Sequence, residues 1–135
     1  MEFEVMFKDL TMAEVKINTK ECYFDQKSYT VYDSPVEVKR YSNKPKVAQP
    51  FISDSVSLHK VYEFLESRCF PRDRIDCKTI LASMGLDSYD VEKIVRITHG
   101  AMLQDFTWIR FKNETLKWSD VDVRKKLRNT DGVVY

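Results

Sequence analysis

The chain has 135 residues, a net charge of +1, three glycines and four prolines. That length suits one domain able to bury a core without disulfides or a metal. The near-neutral charge excludes whole-molecule attraction to nucleic acid or membrane, and the scarcity of glycine and proline excludes long low-complexity linkers.

Residues 3–8 alternate, with Phe3, Val5 and Phe7 opposed to Glu4, Met6 and Lys8. This is the period of a strand with one face in the core. Asp9-Leu10-Thr11 offers a turn, and Ala13, Val15 and Ile17 then alternate with Met12, Glu14, Lys16 and Asn18. Asn18-Thr19-Lys20 offers another turn. Strand-forming runs follow at Cys22–Phe24, Tyr29–Tyr32 and Val36–Tyr41. Residues 1–41 therefore read as an antiparallel meander that needs a cover on one face. Residues 42–54, with Pro45 and Pro50, read as a connecting loop.

Residues 55–100 form the helical part. Ser53, Asp54 and Ser55 are candidate N-caps for a helix over residues 55–69. Its apolar stripe runs through Leu58, Val61, Tyr62, Leu65 and Cys69, and it supplies the cover for the sheet. Phe70-Pro71 stops it, because the residue before a proline leaves the helical region. A second helix begins at Asp76 and ends at Gly85, and a third begins near Asp87, Ser88 and Asp90 and ends at Gly100. Residues 105–121 read as a β-hairpin: Phe106, Trp108, Ile109 and Phe111 on one strand, a turn at Lys112-Asn113-Glu114, and Thr115–Trp118 pairing back. Residues 122–135, with the basic run Arg124–Arg128, read as a tail.

No nucleotide-binding glycine motif, metalloprotease motif or nucleophile elbow is present. His59 and His99 stand on different elements, and the carboxylates at the helix starts suit capping, so no catalytic, metal or cofactor site is expected. Cys22, Cys69 and Cys77 form no C-x-x-C and read as reduced thiols of a cytoplasmic protein. The acidic, alternating start is not that of a signal peptide, and no apolar run reaches the ~20 residues of a membrane span, so no membrane partner is expected.

The candidate partner-binding residues are Arg68, Arg72, Arg74 and Lys78 around the Pro71 corner, with Trp108 and Trp118. Arginine forks grip carboxylates or phosphates, so the corner suits an acidic protein surface or a nucleic-acid backbone. Internal pairing with Asp73, Asp76 and Glu66 competes with that role and is the preferred reading of the charges. The tryptophans serve either as packing or, if exposed, as interface anchors.

Several of these phrases resemble a leader region of Firmicute proteins related to HipA-type serine/threonine kinases of toxin–antitoxin modules. The matching residues are Phe3–Asp9, Pro71 with Arg74, Leu81 with Gly85-Leu86, and Trp108-Ile109 followed by Leu116, Trp118 and Val121. No kinase catalytic loop is present, so the resemblance implies a stand-alone accessory domain of mobile-element origin and carries over no kinase residue. The expected function is a non-enzymatic protein-binding regulator, antitoxin-like, with a host or cognate protein as partner. The alternatives are a phage-type inhibitor of a host defence nuclease, in the manner of anti-CRISPR proteins, and a nucleic-acid-binding regulator using the basic corner and tail.

Overall fold

A computed structural model of the chain describes residues 1–41 and 56–124, apart from the side chains of residues 30 and 32–35. The strands β1 (Glu2–Phe7), β2 (Leu10–Phe24), β3 (Lys27–Arg40) and β4 (Thr107–Phe111) form one antiparallel sheet in the order β3-β2-β1-β4. Ala13, Val15 and Ile17 are buried with Phe3 and Val5, as the alternation requires. The meander has fewer turns than expected. Asn18-Thr19-Lys20 continues β2, paired to Asp33, Tyr32 and Val31, with a register shift between Ile17 and Asn18. The chain reverses instead at Asp25-Gln26, both left-handed with φ of 49° and 61°. Two consecutive left-handed residues match the right-handed twist of a tight hairpin.

The helices α1 (Leu58–Ser67), α2 (Cys77–Ser83) and α3 (Val91–Thr98) cover one face of this sheet, and the α+β class is as expected. Val61 and Leu65 of α1 and Val91, Ile94 and Val95 of α3 pack on Phe3, Val5, Val15, Ile109 and Phe111. Helix α1 starts at Leu58, capped by the Ser57 hydroxyl, which accepts from Lys60 N at 3.2 Å. The expected caps Ser53–Ser55 and the loop at 42–54 lie outside the described residues. Tyr62 faces out, whereas Phe64 packs against the core and widens the stripe in its place. Asp90 caps α3 by accepting from Lys93 N at 3.1 Å, and Gly85 takes the left-handed position after α2.

The C-terminal hairpin is not formed. Thr115–Lys117 forms no strand, and Trp118–Val121 is a short helix, α4. The edge of β4 away from β1 explains why. Thr107 N donates to Asp105 Oδ1 at 3.1 Å, Ile109 N to the His99 carbonyl at 2.7 Å, and Phe111 N to Glu114 Oε1 at 2.6 Å. A returning strand would find these donors already used. The segment instead crosses the other sheet face, where Val121 buries with Met6, Ala101 and Trp108 in a second apolar cluster, flanked by Leu116 and Trp118. Trp118 N donates to Asp9 Oδ1 at 2.8 Å and fixes the entry to α4. Residues 125–135 of the expected tail lie outside the described residues.

Gly100 sits between these layers with φ of +63°, and a Cβ there would meet Arg68 Cβ at 3.0 Å and Ile109 Cδ1 at 3.2 Å. At Gly85 φ is +76° but a Cβ would meet nothing within 4 Å. Gly85→Ala is therefore expected to destabilise by about 1 kcal/mol, the left-handed term alone. Gly100→Ala adds overpacking of roughly 1–3 kcal/mol to that term. Urea unfolding of the two variants measures the difference.

Candidate functional site

The six candidate partner-binding residues do not form one surface. Arg68 is removed from it: its side chain is 8% exposed, and it reaches away from the corner into the core. Its Nε donates to the Gly100 carbonyl at 2.8 Å, and two parallel bonds of 2.7 and 2.8 Å grip the Asp105 carboxylate. A fourth bond, 2.7 Å long, reaches the Thr107 carbonyl. Arg68 thus ties the end of α1 to the loop before β4 and to β4 itself. A buried ion is stable only when geometry and hydrogen bonds replace its hydration, and here four bonds do so. Trp108 is likewise removed from the surface, being fully buried with its indole N–H donating to the Lys8 carbonyl at 2.7 Å. Trp118 is half-buried, with its ring 6.0 Å from that of Phe106 in a T-shaped contact. Arg124 lies over the Phe106 ring at 4.5 Å and donates to the Leu103 carbonyl at 2.7 Å, so the start of the basic run is packed against the fold.

Arg72, Arg74 and Lys78 are exposed on the corner between α1 and α2. The anticipated internal pairing is partial: Arg74 Nε meets Asp76 Oδ1 at 2.7 Å, while the Arg72 guanidinium lies over the Tyr89 ring at 4.4 Å. Tyr89 in turn donates to the Phe70 carbonyl at 2.6 Å and meets the Phe70 ring edge-on. At the tip of this braced corner Ile75 is 105% exposed. Leaving an isoleucine in water forfeits roughly 2 kcal/mol of burial. The residue lies outside any periodic segment, so hydrophobic patterning in the sequence does not mark it.

The second exposed apolar group is on the β2–β3 hairpin. Strand β1 flanks β2 only as far as Lys16, so from Asn18 to Phe24 β2 pairs with β3 alone. The result is a two-stranded arm roughly 23 Å long at ~3.3 Å per residue. Tyr23 and Phe24, at its tip, are 74% and 72% exposed, and Tyr29 is 47% exposed. Cross-strand partners share a face and successive residues alternate, so Tyr23 and Phe24 project from opposite faces of the arm.

Other chemical groups are engaged structurally. An open groove of about 540 Å³ on the sheet's outer face is lined by Glu2, Glu4, Glu14, Lys16, Lys39 and Lys112, among others. Its charges are largely paired: Arg110 grips Glu4, and Lys112 meets Glu2 at 3.2 Å. Burial raises the Glu4 pKa, but hydrogen bonds from Arg110 and Thr11 with the Arg110 charge outweigh it, and the net shift is downward. His99 is the left-handed C-cap of α3, held by Glu114 Oε2 at 2.8 Å, and His59 pairs with Glu63 at the surface. Cys69 is buried, and that burial pushes its thiol up to about 12, so it holds no thiolate at neutral pH. Among the described residues no His, Cys, Asp and Glu side chains cluster as a metal site, and no helix is long and apolar enough to cross a membrane.

Burial raises the pKa of Asp105, but the Arg68 hydrogen bonds and charge, with Thr107 N, pull it below the ordinary aspartate value. The unfolded state then binds more protons between the two values. The clamp's stabilisation is present above the unfolded pKa of roughly 3.9 and is lost as pH falls through the lower folded value. Asp105→Asn is expected to flatten this acid limb of a stability–pH curve. Arg68→Met leaves the Gly100 and Thr107 carbonyls without this donor and Asp105 with only its bond from Thr107 N; as the Asp105 side chain is 40% exposed, a loss of about 1–3 kcal/mol is expected, measured by urea unfolding. Comparison of the chain with protein-family models, curated proteins and solved structures returns no match.

Proposed function

We propose that the chain is a non-enzymatic protein-binding module that engages its partner through the β2–β3 arm. The observation that carries this reading is the exposure of Tyr23 and Phe24 at the end of a strand pair that nothing else in the sheet supports. A lone two-stranded ribbon is marginal in water, and aromatic side chains at its tip gain most when a partner buries them. The charges near the tip favour a protein over a polyanion. Lys20 and Lys27 are balanced by Glu21 and Asp25, so the tip offers no net positive charge to a phosphate backbone. The resemblance to the leader region of HipA-type kinase proteins makes such a kinase the first partner to test, with this chain as its antitoxin-like accessory in the cytoplasm.

The arm reading is tested by affinity capture from host lysate, with and without nuclease, using the wild type and a Tyr23→Ser/Phe24→Ser variant. One protein captured in both lysates is expected. The double substitution should weaken its capture by about 10-fold or more, as for interface anchors, and leave the unfolding midpoint unchanged. Capture that disappears with nuclease, or that ignores the substitutions, overturns the proposal.

A further inference from the structure

The β2–β3 arm leaves the sheet through a break in its own ladder. Ile17 pairs with Val36, but the next residue, Asn18, pairs with Asp33, so Ser34 and Pro35 have no partner on β2. Two other boundaries fall at the same place. The support from β1 ends there: its pairing with β2 stops at Lys16, and Met1 and Ile17 exchange the last backbone bonds, 2.8 and 3.1 Å long. The apolar core ends there too. Ile17 is 2% exposed and Val36 packs against the core, whereas no described side chain from Asn18 to Val31 belongs to either apolar cluster.

A bulge within a sheet bends a strand that its neighbours still hold on both sides. Here the bonds that resist bending end on the β1 side of β2 and are interrupted on the β3 side. The change of angle then falls on a few residues, Ile17-Asn18 on β2 and Asp33–Val36 on β3, and that is how a hinge is built. Two unpaired residues also keep the alternation in phase. Because β2 is continuous, Cys22 and Tyr29 in the arm stand on the same face as Lys16 and Glu37 in the body. We infer that the arm, residues 18–33, is a hinged element that pivots as a paired ribbon about this break while the body of the sheet stays fixed. Its use rests on the binding-module reading: the pivot lets Tyr23 and Phe24 meet a partner without unpacking Ile17 from the core.

Spin labels on Cys22 in the arm and Cys77 at the start of α2 read the pivot in the full chain, since Cys69 is buried. A reference pair moves the first label to the body of β2, as Lys16→Cys with Cys22→Ser. Double electron–electron resonance is expected to give a Cys22–Cys77 distance distribution about two-fold wider than that of the reference pair. Removal of Ser34 and Pro35 joins Asp33 to Val36, makes the ladder continuous with every face kept, and should bring the width back to that of the reference. Cross-strand NOEs between Tyr23 and Ser28 should persist in the wild type, because the ribbon swings without unzipping. Equal widths for the two pairs, an arm still as wide after the removal, or loss of those NOEs overturns the inference. Where the shortened chain does not reach the wild-type unfolding midpoint, the comparison of the two label pairs decides alone. None of these readings needs a partner, so failure of the hinge is distinct from failure of the arm as a binding surface, which capture reads.

Discussion

The fork that Arg68 makes with Asp105 and two carbonyls is the constraint on which the upper half of the molecule depends. The guanidinium stands on the core face of α1, three residues beyond Leu65, where an apolar side chain would be the ordinary choice. Once it is there, the carboxylate of Asp105 and the carbonyl of Gly100 must come to it, because a buried unpaired cation is untenable. That fixes the path of the chain between α3 and β4. It also sets Gly100 so close to Arg68 that only glycine fits without displacement.

The closing of the β4 edge follows from the same placement. Asp105 serves the arginine with both oxygens and still accepts from Thr107 N. His99, at the end of α3, offers its carbonyl to Ile109 and its ring to Glu114, which in turn accepts from Phe111 N. Side chains and a helix terminus thus do what a fifth strand would otherwise do. The aromatic segment after β4 is released to cover the opposite sheet face, where Trp108 and Met6 need burial.

Much of this was legible in the sequence wherever one period or one local signal decided the outcome. The alternation of Ala13, Val15 and Ile17, the spacing of Val61 and Leu65, the cap at Asp90 and the stop at Gly85 all act over a few residues, and all stand as read. The hairpin turn was hidden because Asp25 and Gln26 take left-handed conformations usually marked by glycine or asparagine. Asn18-Thr19-Lys20 carried the commoner turn composition yet lies in mid-strand, since pairing to β3 outweighs local preference. The C-terminal hairpin failed for a different reason. The groups that cap β4 come from Asp105, His99 and Glu114, and no short-range pattern reports that they converge. Of the candidate surface, Arg72, Arg74 and Lys78 are exposed, which the sequence left open against internal pairing, while Arg68 was disguised by its basic neighbours. Its i+3 spacing from Leu65 was the one signal that could have separated it.

The closed edge at β4 also governs how the sheet can grow. Strand addition needs a free row of backbone donors and acceptors, and β4 has its outward donors engaged. Among the described residues no strand flanks β3 on its far side. The two edges therefore differ among the described residues: side chains and a helix terminus close β4, and no strand lies beyond β3. A strand added beside β4 would first have to displace the Asp105, His99 and Glu114 acceptors, so growth of the sheet is barred at that edge.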